Sequence, residues 1–352
     1  MLLLGLESSC DETGVALVKS DGTVVSDVVH SQVALHATYG GVVPELASRD
    51  HAKNVAPVLR EALARAGVTL ADVDGIAVTN RPGLVGALLV GVQVAKGLAW
   101  ADEKPLVGVD HLMGHLLAIF LRREGDPARE PPELPFVALL ASGGHTAIYR
   151  VDGPLAQNVR ELGATRDDAA GEAYDKVAKL LGLGYPGGPA VDKLAATGDS
   201  KVFPLEAPMS HSGTLEMSFS GIKTRISQHV RDHGPIVGQP RADICASFQR
   251  AVTSVLTKKL LAAAEQEGVR DVVIGGGVAA NSELRRRVAE GAASRGLRAH
   301  LPDRKSCTDN AAMIAYTGAM RLTAGERDGW DLVATSATAL PRATRKGRGK
   351  RA

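Results

Sequence analysis

The sharpest chemical signal in this 352-residue chain is the run HLMGH, in which His111 and His115 stand four residues apart. That spacing stacks both imidazoles on one face of a helix, and Asp110 is placed to cap the helix start. Two ligands do not hold an ion. Asp309, in the run CTDN ahead of the apolar segment AAMIAYTGAM, could supply the third and complete a two-histidine, one-carboxylate face with open positions. Without that third group the two histidines are an ordinary helix face. A zinc protease is excluded, because Leu112 stands where H-E-x-x-H carries the glutamate that activates water.

Other chemistry-bearing residues cluster in loops. The segment ESSCDET at 7–13 packs the carboxylates Glu7, Asp11 and Glu12 and the hydroxyls Ser8, Ser9 and Thr13 between two apolar runs. Hydroxyls and amides there can hold a phosphate, and Asp11 or Glu12 can orient a proton-bearing nucleophile or a metal-bound water; an exposed polar turn is the plainer alternative. A second loop, Leu140, Ala141, Ser142, Gly143 and Gly144, puts paired glycines after an apolar strand, where backbone can approach a ligand. In DDAAGEAYDK at 167–176 the leading carboxylates are expected to cap a helix, and Glu172 and Asp175 share a face suited to ribose hydroxyls. The turn YPGGP, containing Gly188, leads to Asp192, and the triple glycine at 275–277 leads to Asn281. Glycine turns opening helices are natural seats for a nucleotide.

These loops need rigid elements to hold them. Residues 2–29 read as strand, polar loop, strand, turn, strand, and residues 136–162 repeat the layout. Helical patterns follow each repeat, at 45–66 and 86–101 in the first half and at 169–181 and 241–267 in the second, with strands at 75–79, 105–109 and 271–275 and a further helix from Ser282. The expected architecture is therefore α/β: a duplicated fold similar to actin, heat-shock-70 and sugar kinases, with two lobes and a nucleotide cleft. Expected bounds are 1–134 for the first lobe, completed by a helix at about 309–325, and 135–308 for the second, with the Pro-rich stretch at 123–135 as linker.

Composition narrows the partners. A net charge of +2 gives no chain-wide attraction for nucleic acid, so a basic surface must be local: Arg285, Arg286 and Arg287, or the tail at 340–352, which the composition predicts to be disordered. Only 12 aromatic residues are available, so an RNA partner is read through phosphates rather than stacking. Three scattered cysteines, Cys10, Cys245 and Cys307, argue against a disulfide framework and for a reducing, cytoplasmic setting. No apolar run approaches a membrane span, so no membrane partner is expected.

Taken in order, GLESSCDETGVALV, HLMGHLLA, LLASGGHT, DDAAGEAYDKVAKLLGLGYPGGPAVDKLA, SFSGIKT, GGGVAANSELR and CTDNAAMIA resemble the tRNA N6-adenosine threonylcarbamoyltransferase family, from residue 5 to about 315. The resemblance implies transfer of a threonylcarbamoyl group from threonylcarbamoyl-AMP to the adenosine 3′ of the anticodon, with release of AMP. It further implies one divalent metal, Fe2+ or else Zn2+, on His111, His115 and Asp309. The adenylate would lie on Leu140, Ala141, Ser142, Gly143, Gly144, Asp175, Gly188, Asp192 and Asn281, between the two repeats, and Asp11 or Glu12 would act catalytically. Partners implied are tRNA, a non-catalytic paralogue, a small ATPase and an adenylate-forming enzyme. An ATP-dependent kinase of the same superfold and the scaffold paralogue are the alternatives; the scaffold should lack the histidine and DDAAGEAYDK motifs, which are present. The sequence departs from the family at Arg81, where a glycine is expected, and in the basic tail.

Overall fold

The computed structural model describes residues 1–126 and 129–343. The chain opens with β1 (Leu2–Glu7), β2 (Glu12–Lys19) and β3 (Val24–Ser31), then α1 (Val33–Ala37), α2 (Pro44–Ala66), β4 (Gly75–Arg81), α3 (Val85–Ala101), β5 (Leu106–Asp110) and α4 (His111–Leu117). The second half repeats the plan with β6 (Phe136–Ala141), β7 (Thr146–Val151), β8 (Val159–Ala164), α5 (Ala170–Leu180), α6 (Gly187–Ala195), α7 (Ser220–His233), α8 (Gly238–Glu267), β9 (Asp271–Gly275), α9 (Ser282–Ala293) and β10 (Arg298–His300). Helix α10 (Ala311–Thr323) follows.

Two compact units result, one of Met1–Pro131, Pro154–Asn158 and Pro302–Leu340, the other of Pro132–Gly153, Val159–Leu301 and, among the described residues after Leu340, 341–343. The chain passes from one to the other inside the Pro-rich stretch at 123–135.

The first unit is built on a five-stranded sheet in the order β3-β2-β1-β4-β5. β1 and β2 form an antiparallel hairpin, Leu2 opposite Lys19 through Glu7 opposite Gly14, whereas β4 runs parallel to β1 and β5 parallel to β4. Parallel central strands must bury both faces, which explains why GIAVTN and LVGVD are apolar without alternation. One face packs on α2 and α3 through Leu4, Leu6, Val55, Val58, Val78, Val92 and Ala95. The other packs on α10 through Leu3, Ala16, Ala77, Val107, Ala311 and Ala315. The carboxyl ends of β1, β4 and β5 therefore come side by side, which brings Glu7, Thr79 and Asp110 to one edge.

The second unit repeats that sheet: β10-β9-β6-β7-β8 is the same order with β6 in the place of β1. Leu140 of β6 lies opposite Gly275 of the parallel β9, so the two glycine loops leave neighbouring strand ends.

Several local readings need correction. Asp167 and Asp168 do not cap α5, whose N-cap residue is Ala169 with no side-chain bond. The amide of Ala170 instead donates to Thr146 Oγ1 (2.8 Å), and Asp167 turns to the start of α7, where it accepts from Phe219 N (2.8 Å) and Ser220 Oγ (2.7 Å). A carboxylate at a helix start stabilises whichever exposed amides the tertiary fold brings nearest. The Arg285 to Arg287 cluster is not a free basic surface: Arg286 and Arg287 pair with Glu283, Arg286 also with Glu290, and Arg285 donates to the Ala279 carbonyl. Helix α7 and the short edge strand β10 were not expected from sequence; α7 is polar over most of its length and buries only Ile222 and Ile226.

Candidate metal centre and nucleotide-binding turns

In the first unit, Asp110 ends β5 and its Oδ1 accepts from Leu112 N (2.9 Å), so the carboxylate caps α4 and fixes the direction in which the histidines leave the strand. Both imidazoles then point at Asp309, just ahead of α10: His115 Nε2 is 3.1 Å and His111 Nε2 3.4 Å from Asp309 Oδ1. One ligand atom from each of the three residues lies within 4.8 Å of the other two. His111 and His115 are buried and Asp309 is partly buried.

The residue that orients this group was present in the sequence as part of an acidic loop, without an assigned role. Glu7 is fully buried; its Oε2 accepts from Thr79 Oγ1 (2.7 Å) and from His111 Nδ1 (2.9 Å), and its Oε1 from Ser9 N (2.5 Å). Ser9 Oγ also lies 3.3 Å from His111 Nδ1. With the Nδ1 proton shared with Glu7, Nε2 is the nitrogen aimed at the centre and the one a metal would take on displacing its proton, the arrangement outer carboxylates give to metal-bound histidines.

Charge tests whether an ion fits. Burial pushes both carboxyls up, but the charge and hydrogen bond of His111 outweigh it and hold Glu7 and Asp309 below their ordinary range. Burial works against charging His111, yet Asp309 and Glu7 outweigh it and keep this imidazole protonated; for His115 burial prevails and the ring stays neutral. Two carboxylates and one imidazolium leave a net negative charge in a buried pocket. The buried Nδ1 of His115 also has no hydrogen-bond partner among the described residues. A divalent cation replacing the His111 Nε2 proton would bring the group to neutrality. The residues fit a divalent metal.

Asp11 and Glu12 sit at the start of β2. Burial, then the negative charges of Asp309 and Asp11, push Glu12 up to about 9, and its carboxyl shares a hydrogen bond with Asp11. The loop is held from behind by His51 of α2, a residue with no sequence signal, whose Nε2 donates to the Cys10 carbonyl (3.0 Å) while Nδ1 pairs with Thr13 Oγ1 (2.7 Å). Burial holds His51 below its ordinary range, which favours the neutral ring. Arg81 ends β4 beside a register shift opposite Asp110 and does not adopt a positive φ, so the backbone there does not need glycine. The close approach falls two residues later: a Cβ on Gly83 would sit 2.6 Å from the Ser9 carbonyl oxygen.

In the second unit the residues proposed for the adenylate form two connected groups. Leu140 and Ala141 end β6; Ser142 closes its loop by N–H donation to His145 O (2.8 Å), and its carbonyl accepts from Gly171 N of α5 (3.1 Å). Gly171 and Gly276 are required by packing, since added Cβ atoms would lie 2.6 Å from Ser142 O and 2.5 Å from Ala141 O. Gly143, Gly144 and Gly188 are not: no atom lies within 4 Å of an added Cβ, and none has a positive φ. Their glycine identity has no explanation within the protein's own packing, which is what close approach of a ligand would produce.

Asp175 accepts from Gly187 N (2.7 Å) and so ties α5 to the start of α6, and Glu172 pairs with Lys176 (2.8 Å). Asp192 accepts from Ser282 Oγ (2.7 Å), Ser282 N and Asn281 Nδ2 (both 3.2 Å), and Asn281 Nδ2 also donates to Gln249 Oε1 (2.8 Å). Gln249 carried no sequence signal, because α8 reads as an ordinary buried helix, and Ser282 was read only as the start of a helix.

Solved structures place this architecture in a known class. The chain is similar to component A of the Acidaminococcus fermentans (R)-2-hydroxyglutaryl-CoA dehydratase, with a TM-score of 0.55 over 91% of this chain and 99% of that one at 16% identity. It is also similar to full-length HypF in its phosphate- and nucleotide-bound form, with a TM-score of 0.60 over 94% of this chain and 47% of that one at 14% identity. At such identities the likeness is one of fold, that of the actin-like, heat-shock-70 and sugar-kinase proteins.

Within that class the chain belongs to the tRNA N6-adenosine threonylcarbamoyltransferase family, whose sequence profile matches residues 23–316. The relative of that name from Sorangium cellulosum (strain So ce56) is 64% identical over 356 residues, covering 100% of both chains, and that from Geobacter sp. (strain M21) is 53% identical over 332 residues, covering 94% of each. It is accordingly a transferase of tRNA modification. No helix among the described residues is long and apolar enough to cross a membrane.

Proposed function

We propose that the chain transfers the threonylcarbamoyl group from threonylcarbamoyl-AMP to N6 of the adenosine 3′ of the anticodon in tRNA. The adenine amine attacks the carbamoyl carbonyl carbon, the bond from that carbon to the phosphate oxygen breaks, AMP leaves with the electron pair, and one amine proton passes to a base. A mixed carbamoyl-phosphate anhydride already carries a good leaving group, so the protein's task is positioning and charge stabilisation rather than covalent catalysis. The observation that carries this reading is the convergence of His111, His115 and Asp309 on one point, with Glu7 behind them, in a chain of this family.

Leu140 to Gly144, Asp175, Gly188, Asp192 and Asn281 hold the adenylate, the open glycines letting backbone amides reach phosphate and ribose. His111, His115 and Asp309 would hold one divalent ion, iron in the first place and zinc as the alternative. When bound, it supplies a Lewis-acid charge for an anhydride or phosphate oxygen. Asp11 or Glu12, at the start of β2, receives the amine proton. The catalytic setting is cytoplasmic, and a non-catalytic paralogue, a small ATPase and an adenylate-forming enzyme are its proposed partners.

The test is transfer of radiolabelled threonine from the preformed adenylate into unmodified tRNA, with a tRNA carrying guanosine at the target position as control. Label in the first tRNA alone supports the assignment. ATP-dependent phosphorylation of a small molecule without any labelled tRNA would instead establish the kinase alternative.

A further inference from the structure

The segment after α10 has no role in the chemistry above and lies beyond the residues the family profile matches, which end at 316. It nevertheless follows β5, the edge strand of the first sheet, from one end to the other. At the start of β5, Asp328 N donates to Leu106 O (2.8 Å) and Asp328 Oδ2 accepts from Gly108 N (2.7 Å). Arg321 Nη1 holds the same carboxylate at 2.8 Å. Midway, Leu332 joins the core, and Asn80 at the end of β4 is gripped twice: its Nδ2 donates to Val333 O and its carbonyl accepts from Thr335 N, both at 3.0 Å. At the far end, Thr338 Oγ1 (2.6 Å) and Ala339 N (2.8 Å) both donate to Asp110 Oδ2, and Leu340 is buried.

Asp110 is thus shared. One oxygen caps α4 through Leu112 N, and the other is held by the strap. A carboxylate caps well only when its rotamer is fixed, and α4 is a short helix that begins with His111 itself, so the direction of both imidazoles depends on that cap. We infer that the C-terminal strap 328–340 positions the metal-binding histidines, and that Thr338 is a positioning residue for the centre through its bond to Asp110. This inference rests on the metal-site reading of His111, His115 and Asp309. The strap also covers what would otherwise be an open sheet edge, which gives it a structural role to be separated from the positioning one.

The experiment uses the full chain, stripped of metal, titrated with Co2+ and followed by the visible absorption of the bound ion, which reports both affinity and ligand geometry. Four proteins are compared: wild type, Thr338→Val, Thr338→Ser and His115→Ala. Thr338→Val removes the 2.6 Å bond at nearly constant volume, and loss of a cap-strength interaction corresponds to about fivefold weaker Co2+ binding with an altered spectrum. Thr338→Ser restores the hydroxyl and should return both to wild type, which a loss of general stability in the valine variant would not explain. Thermal unfolding of the metal-free proteins measures that loss separately; if the valine variant does not fold, the comparison passes to Thr338→Ala with the same expected outcome. Wild-type affinity and spectrum in the folded valine or alanine variant, alongside loss of binding in His115→Ala, would overturn the strap's role alone. Unchanged binding in His115→Ala would overturn the metal-site reading beneath it.

Discussion

Gly144 and Gly188 separate a glycine kept for a ligand from one kept for the fold. An alanine at either position meets no atom within 4 Å and needs no positive φ. Gly188 lies in the first turn of α6, where alanine is the better helix former by about 1 kcal/mol, and Gly144 lies in a loop where removing a glycine's unfolded-state freedom is worth roughly 0.4–1 kcal/mol. Both variants should therefore unfold at or slightly above the wild-type temperature. Gly276→Ala is the contrast: its φ is +83° and its Cβ would sit 2.5 Å from Ala141 O, so it should be destabilised by about 1–3 kcal/mol. If backbone at Gly144 and Gly188 touches the adenylate, a methyl group there should weaken AMP binding tenfold or more, about 1.4 kcal/mol on the binding free energy. Thermal melting paired with calorimetric titration of AMP reads both quantities on the same samples. Wild-type AMP affinity in stable Gly144→Ala and Gly188→Ala would refute the reasoning and leave these glycines without a ligand role.

Three further outcomes follow from the same geometry. Glu7→Gln keeps the volume but loses the charge that orients His111 Nδ1, so metal affinity should fall roughly 10–100-fold while AMP binding is unchanged; equal metal affinity by chelator competition would remove Glu7 from the centre. Glu12 has a folded-state value raised to about 9, so its contribution to stability is full below its ordinary value of 4.5 and is lost as pH rises toward 9. The metal-free protein should lose stability across that window, with a shallower slope in Glu12→Gln, and identical slopes by denaturant titration would contradict the raised value. The basic tail lies outside the described residues from 344 onward; if it contacts phosphate, truncation after Ala343 should weaken tRNA binding and flatten its salt dependence, and parallel log-log salt slopes would exclude that contact.

Much of this was legible in the chain because the signals are local. Strand β1, the capped HLMGH helix and the glycine turns are each set by residues within a few positions of one another, and the duplication makes each half a check on the other. The pairing of His111 and His115 with Asp309 drew on a resemblance, because spacing alone does not reveal which distant carboxylate the fold delivers. What sequence missed is of a different kind. Glu7 and Ser282 stand beside residues the sequence does mark, in the acidic loop and next to Asn281, but their roles, like those of His51 and Gln249, are set by partners 32 to 104 residues away. Asp167 was misread because a carboxylate before a helix is the usual cap, while the competing amides of Phe219 and Ser220 arrive from more than 50 residues downstream. The strap was invisible because its grip on Asn80 and Asp110 is made largely by backbone groups.

The most direct test of the metal centre measures metal content, AMP affinity and threonylcarbamoyl transfer together on His111→Ala, His115→Ala and Asp309→Ala. Each variant leaves two protein ligands, which lowers both affinity and geometric definition, while the glycine turns of the second unit are untouched. The expected result is that metal content and transfer into tRNA fall together in all three, with AMP binding retained. Full metal occupancy in any one of them, or wild-type transfer by a protein shown to be metal-free, would contradict the assignment and return His111 and His115 to a structural role.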